Sequence, residues 1–241
     1  MEVRCRRLEG KVAVVTASTQ GIGLAIAERL GLEGAAAVVS SRKQRNVEEA
    51  VEGLKAKGIA AVGVVCHVSD ARQRRNLIDT AAKNFGHIDI LVSNAAANPT
   101  VDGILEMKEA VLDKLWDINV KASILLLQDA ASHLRKGSSV IIISSIGGYN
   151  PNKGLAMYCV TKTALFCLTK ALAAPGFVPT RFASFLTTNE TIRKDVIDRT
   201  PLKRLGSVED MAAAAAFLAS DDASFITAET IVVAGGMQSR L

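Results

Sequence analysis

Between residues 11 and 93, short apolar runs rich in β-branched side chains alternate with longer amphipathic stretches. The runs are 11–16 (KVAVVT), 36–40 (AAVVS), 60–65 (AAVGVV) and 88–93 (IDILVS). Helical patterns over 25–32, 47–56 and 70–85 separate them. Strands joined by helices cannot be hairpin partners; they pair in parallel, so the alternation predicts a doubly wound α/β sheet. A length of 241 residues suits one such domain, expected to span 1–241. With 49% hydrophobic but only 4% aromatic residues, the core is built from Ala, Val, Ile and Leu. At 22% charged residues the chain is not expected to be disordered.

The first strand runs into Thr16-Ala17-Ser18-Thr19-Gln20-Gly21-Ile22-Gly23, after which a helix opens. Free amides and the positive end of the helix dipole make such a turn a cradle for an anion, and its glycines let the backbone approach a pyrophosphate. The second strand leads to Ser41 and Arg42, with Asn46 opening the next helix. A carboxylate here would bind the adenosine 2′-hydroxyl of NAD, whereas a hydroxyl and a guanidinium suit the 2′-phosphate of NADP. The alternative is a basic loop capping the following helix. Asn94, Ala95, Ala96 and Ala97 end the fourth strand with small residues that allow close approach of a cofactor.

Chemistry-bearing residues gather later. Asn119 interrupts an apolar helical pattern over 109–134, either as a satisfied core amide or as the holder of a water. An apolar run beginning at Val140 ends in Ser144 and Ser145, a glycine-bearing loop follows, and a helical pattern opens on Tyr158. Tyr158 and Lys162 are four residues apart, hence on one helix face. An ammonium beside a phenol favours the phenolate, which equips Tyr158 to exchange a proton with an alcohol/carbonyl pair.

In order and spacing these motifs resemble the short-chain dehydrogenase/reductase family. TASTQGIG resembles its T-G-x-x-x-G-x-G turn and SNAA its N-N-A-G. Asn119, Ser145, Tyr158 and Lys162 match its active-site positions, and Pro175-Gly176, with Val178 and Thr180, its P-G motif. VSSRKQ, SNAAANP and the SRL end resemble, within it, peroxisomal NADP-dependent carbonyl reductases (member four) and plant tropinone-reductase-like and indole-3-butyric-acid-response relatives. The resemblance implies a Rossmann-type fold, NADP(H) as cofactor, a carbonyl or alcohol substrate, an acyl thioester among the possibilities, and a homotetramer. It implies that Ser145 binds the carbonyl oxygen, Tyr158 is the general acid/base, Lys162 assists it and binds the ribose, and Asn119 anchors a water-linked proton relay. His67 and Val68 would flank the adenine.

Three departures carry expectations. Ala17 replaces the first turn glycine, which is harmless if its backbone keeps φ negative. His67 replaces an aspartate common near the adenine. Only twelve residues separate Lys162 from Pro175, about half the family's span, and no strand is readable there. Either the helix stops early and 171–174 become extended, or Thr180 cannot reach the nicotinamide, because an unbroken helix would carry Pro175 ~20 Å away. The competing reading is therefore a shortened, catalytically impaired form.

Other classes are less favoured. Net charge is +5, but the basic residues show no aromatic interleaving, so nucleic-acid binding is not expected. No uninterrupted apolar run reaches the ~18 residues of a membrane span. Cys5, Cys66, Cys159 and Cys167 form no CxxC pair and look like buried or half-buried thiols; with three scattered histidines, no metal is expected. Ser239, Arg240 and Leu241 resemble a peroxisomal address read by an import receptor. A polar helix over 189–199, an Ala-rich helix over 208–219 and a strand over 230–233 complete the expectations.

Overall fold

The computed structural model describes residues 6, 8–149, 151, 153–172, 194, 197–198, 200–206 and 235–236, apart from the side chains of 136, 137 and 146. By its internal contacts the chain divides into two compact units, Met1–Leu165 and Phe166–Leu241. The first holds a parallel sheet of β1 (Val12–Val15), β2 (Ala36–Ser41), β3 (Ala61–Val65), β4 (Ile88–Ser93) and β5 (Leu134–Ile142), in the order β3-β2-β1-β4-β5. This is the α/β, Rossmann-type sheet expected. Successive residues feed opposite faces: Val12 and Val14 join Val38, Leu77, Leu91 and Leu126, while Ala13 and Val15 join Ala27, Val39, Leu54 and Val92. Both faces are buried, which is why the strands read as continuous apolar runs.

Helices α1 (Gly21–Leu32), α2 (Gln44–Ala56) and α3 (Ala71–Phe85) make the crossovers. Two of them start earlier than hydrophobic periodicity indicated, because their first turns are polar or glycine-bearing. Asp70 caps α3, its carboxylate accepting from the amides of Arg72 (2.9 Å) and Gln73 (3.0 Å). After β1 the chain crosses to β2, and after β3 it returns to β4 on the other side of β1. The carboxyl ends of β1 and β4 therefore part around a crevice, the usual ligand position in such sheets.

The pattern over 109–134 is not one helix. α4 (Glu109–Trp116) passes through a π-helical turn at Asp117–Lys121 into α5 (Ala122–Ala130), and Leu134 already belongs to β5. The π turn sits at Asn119, where a functional reading of the sequence also fell. α6 (Ala156–Leu172) opens two residues before Tyr158 and remains helical through Ala171 and Leu172, which removes the early-stop alternative for those residues. Ten residues of helix beyond Lys162 advance the chain ~15 Å. Pro175, Gly176, Val178 and Thr180, the expected elements 208–219 and 230–233, and Ser239, Arg240 and Leu241 lie outside the described residues. Of 189–199, Lys194, Ile197 and Asp198 are helical.

Among the described strands β5 pairs with β4 alone, and its Val140 and Ile141 are each 40% exposed. Residues 153–172 are long and apolar enough to cross a membrane, with a mean hydropathy of 1.3, a possibility that uninterrupted apolar runs do not register. Lys162, 2% exposed, lies within that stretch and donates to the Ile143 carbonyl, so this part of the helix is seated in the protein core.

Candidate active site

The turn after β1 is built by hydroxyls. Thr16 Oγ1 donates to the Val92 carbonyl (3.3 Å) and accepts from the amides of Asn94 (3.0 Å) and Ala95 (3.2 Å). Ser18 Oγ donates to the Val15 carbonyl (2.6 Å) and accepts from the Ser40 amide (3.0 Å). Asn94 Nδ2 donates to the carbonyls of Thr16 (3.0 Å) and Ala17 (3.1 Å). Thus the ends of β1, β2 and β4 are locked together by the residues that the sequence singled out. Gly21 has φ +56°, and a Cβ at Gly23 would stand 2.5 Å from both the Ala17 carbonyl oxygen and Asn94 Nδ2. Ala17 itself has φ +49°, so the condition for a harmless replacement is not met. The turn keeps its left-handed residue, and an alanine holds it at a cost of roughly 1–2 kcal/mol.

A cavity of about 490 Å³ opens at this end of the sheet. Of the expected cofactor residues, Gln20, Ser41, Arg42, Asn46, His67, Val68, Ala95 and Ala96 line it. Thr16 and Ser18 lie fully buried beneath, and Ile22 is 66% exposed. The cavity also takes in Lys43, Cys66, Asn98, Pro99, Lys114 and Ile118, which the sequence reading did not select. Lys43 had a signal, its position beside Arg42. Lys114 had none, because only packing brings α4 to this wall. Among the described residues Arg42, Lys43 and Lys114 form no ion pair with a carboxylate. Three unpaired cations and a cradle that a Cβ would fill fit an anionic dinucleotide. Burial pushes the Cys66 thiol up to about 11, so it remains a neutral wall residue.

The second cluster is held by α6. Lys162 Nζ donates to the Ile143 carbonyl (2.8 Å) and lies 5.7 Å from the centre of the Tyr158 ring. Burial pulls its ammonium down to about 8. Ser144 Oγ donates to the Lys162 carbonyl (2.8 Å) and Thr163 Oγ1 to the Gly148 carbonyl (2.7 Å), clasping the loop after β5 to the helix. In that loop Ser145 Oγ accepts from the Gly147 amide (3.1 Å), and Gly147 packs so close to Cys159 that a Cβ would stand 2.9 Å from its Sγ. Ser145 and Tyr158 are half-buried.

Ser145, Tyr158 and Lys162 do not line this cavity. Asn119 joins the two clusters: its Oδ1 accepts from the Ala97 amide (2.7 Å), and its Nδ2 donates to the Ala97 carbonyl and to Thr161 Oγ1 (both 3.0 Å). Its side chain is buried and hydrogen-bonded on both its oxygen and its nitrogen. Cys66 and Cys159 are buried, but Cys167 is exposed, contrary to expectation, because its helical position faces outward; Cys5 is outside the described residues. No cluster of metal ligands occurs among the described residues.

The family profile described as Enoyl-(Acyl carrier protein) reductase matches residues 16–238. Tropinone reductase-like 3 of Erythroxylum coca is 67% identical over 98% of this chain and 96% of its own length. Dehydrogenase/reductase SDR family member 4 of Homo sapiens is 47% identical over 97% of this chain and 90% of its own. The solved structure of a short chain dehydrogenase from Burkholderia cenocepacia in complex with NADP is 29% identical, covers 90% of this chain and 93% of that one, and superposes with a TM-score of 0.65.

Proposed function

Because this chain belongs to the short-chain dehydrogenase/reductase family, oxidoreductases acting on CH–OH/C=O groups with a nicotinamide cofactor, we propose that it is an NADP(H)-dependent enzyme interconverting a carbonyl compound and a secondary alcohol. The observation that carries the NADP reading is the cavity wall at Ser41 and Arg42, a hydroxyl beside an unpaired guanidinium. The NADP in the Burkholderia cenocepacia structure supports the same choice.

Gln20, Gly21, Ile22 and Gly23 would hold the pyrophosphate; Ser41, Arg42 and Asn46 the adenosine phosphate; His67 and Val68 the base; and Asn94, Ala95 and Ala96 the ribose. Pro175, Gly176, Val178 and Thr180 belong to the same proposal on the nicotinamide side. When bound, the nicotinamide supplies or accepts a hydride. The chain's part is to place the substrate and move one proton. Ser145 Oγ donates a hydrogen bond to the substrate oxygen, and Tyr158 Oη gives that oxygen its proton in reduction and takes it back in oxidation. Lys162, held on the Ile143 carbonyl, directs positive charge at the phenol. Asn119 keeps Thr161, the residue before Lys162, in place and anchors the proton path. General acid catalysis of this kind contributes typically ~10²–10⁴-fold.

The reading extends to one domain over 1–241, a homo-oligomer, a homotetramer as in the family, and peroxisomal import through Ser239, Arg240 and Leu241. Its test is an assay of purified protein with NADPH against ketones and 3-oxoacyl thioesters. Turnover that disappears in Tyr158→Phe is the expected result; a folded protein inert toward all of them would overturn it.

A second reading, a shortened and impaired form, has its own observation. The alignment with the coca relative runs over 248 positions against 241 residues in this chain, so it contains positions for which this chain has no residue. Thermal melts discriminate: a cooperative transition raised by NADPH favours the competent enzyme, and its absence favours the impaired form.

A further inference from the structure

On α3 the buried positions are Arg74, Leu77, Ile78 and Ala81, so an arginine occupies a place in an otherwise apolar buried face. Arg74 is 3% exposed. Its Nε donates to Asp129 Oδ2 on α5 (3.0 Å) and its Nη1 to the Val68 carbonyl (2.8 Å). Arg74 is buried and Asp129 only 17% exposed, and such a pair gives little net stability compared with well-packed apolar side chains of similar volume, because the arginine is desolvated fully and the carboxylate in part. Its retention at such a position calls for another reason, and the Val68 carbonyl supplies one. Cys66, His67 and Val68 form one wall of the nucleotide cavity. The same wall is held at a second point, where Gln73 Oε1 accepts from the His67 amide (2.7 Å), and Gln73 is steadied in turn by Asp70 (3.3 Å).

We propose that Arg74, anchored by Asp129, is a positioning residue for cofactor binding: it fixes the loop after β3 so that the His67–Val68 wall is pre-formed to receive the adenine end. The inference rests on the reading of this cavity as the NADP(H) site. A wall already fixed loses no freedom when the ligand arrives, so its loosening weakens binding without touching the reacting atoms.

The full-length chain is titrated with NADPH by calorimetry, and apo stability is followed by denaturant unfolding. Arg74→Met keeps volume and removes both bonds; Asp129→Asn keeps Arg74 but weakens its anchor. The expected result is a Kd for NADPH raised about tenfold in Arg74→Met and less in Asp129→Asn, with partial rescue in Arg74→Lys and KM moving while kcat holds. If Arg74→Met fails to fold, Asp129→Asn and Arg74→Lys decide by the same measure. Unchanged Kd in the folded variants overturns the positioning role. No binding of NADPH by the unaltered chain instead overturns the cofactor reading on which it rests.

Discussion

The two halves of the sheet are finished to different degrees. Around β1, β2 and β4 the hydroxyls of Thr16 and Ser18 and the side-chain amide of Asn94 have partners, Ser40 Oγ is buried without one among the described residues, and both faces are closed by helices. Around β5 and α6 the polar groups are also paired, but Val140 and Ile141 on the strand remain 40% exposed, and a lysine is sunk in the core. An open apolar strand is a liability that proteins ordinarily cover. Under the proposed function the contrast separates two capacities: holding a nucleotide would depend on the first half, and completing a reaction on the second.

The sharpest way to separate them is at Tyr158. Tyr158→Phe should lower kcat by about 10²–10⁴-fold while leaving the calorimetric Kd for NADPH unchanged, since Tyr158 lies off the nucleotide cavity. A parallel loss of binding would merge the halves that the geometry separates.

The next effect concerns the amino-terminal end of the strands, where Asp89, 5% exposed, joins β4, β1 and β5. Its Oδ2 accepts from the Val12 amide (2.8 Å) and pairs with His87 (2.9 Å), and its Oδ1 pairs with Arg135 (2.6 Å). Burial acts to raise this carboxyl, but the Val12 amide, Arg135 and His87 outweigh it and hold it below the usual range. Asp89→Ala should cost about 1–3 kcal/mol in denaturant unfolding, because it strands the buried Val12 amide, whereas Arg135 is exposed enough to be hydrated. A depressed carboxyl contributes stability above the unfolded value of ~3.9 and loses it as pH falls through the folded value. The variant should therefore lack that part of the acid transition.

Lys162 tests the second half alone. With its folded value near 8 and an ordinary value of 10.5, the unfolded chain holds the proton longer, so apo stability rises with pH across that window. The rise should be on the order of 3 kcal/mol and absent in Lys162→Met. Equal pH profiles in urea unfolding would mean the ammonium is not desolvated as the structure has it.

The smallest effect lies in the first half, at Ala17. Ala17→Gly should stabilise by about 1 kcal/mol through relief of a positive φ, read as a raised midpoint with unchanged slope.

What could be read from sequence follows the same division. Strands β1 to β4 were legible because burial on both faces makes them uniformly apolar, and β4 was placed at its observed bounds, Ile88–Ser93. The crevice residues were legible because glycine, hydroxyl and arginine each have a local chemical reason to stand there. The π turn at Asn119 was not, since one extra residue in a turn leaves hydrophobic periodicity almost unaltered. Lys114 and Arg74 were hidden for a different reason: a lysine or arginine on a helix reads as solvated until the neighbouring helix is known. The positive φ of Ala17 was not legible, because side-chain identity argues against it while the turn between three locked strands dictates it.

The most direct measurement is a calorimetric titration of the purified full-length chain with NADPH and with NADH, alongside Arg42→Ala. If the first half alone makes an NADP cavity, NADPH binds at least ~10–100-fold more tightly than NADH, and Arg42→Ala removes most of that difference. Equal affinity for the two cofactors, unaltered by Arg42→Ala, would contradict it.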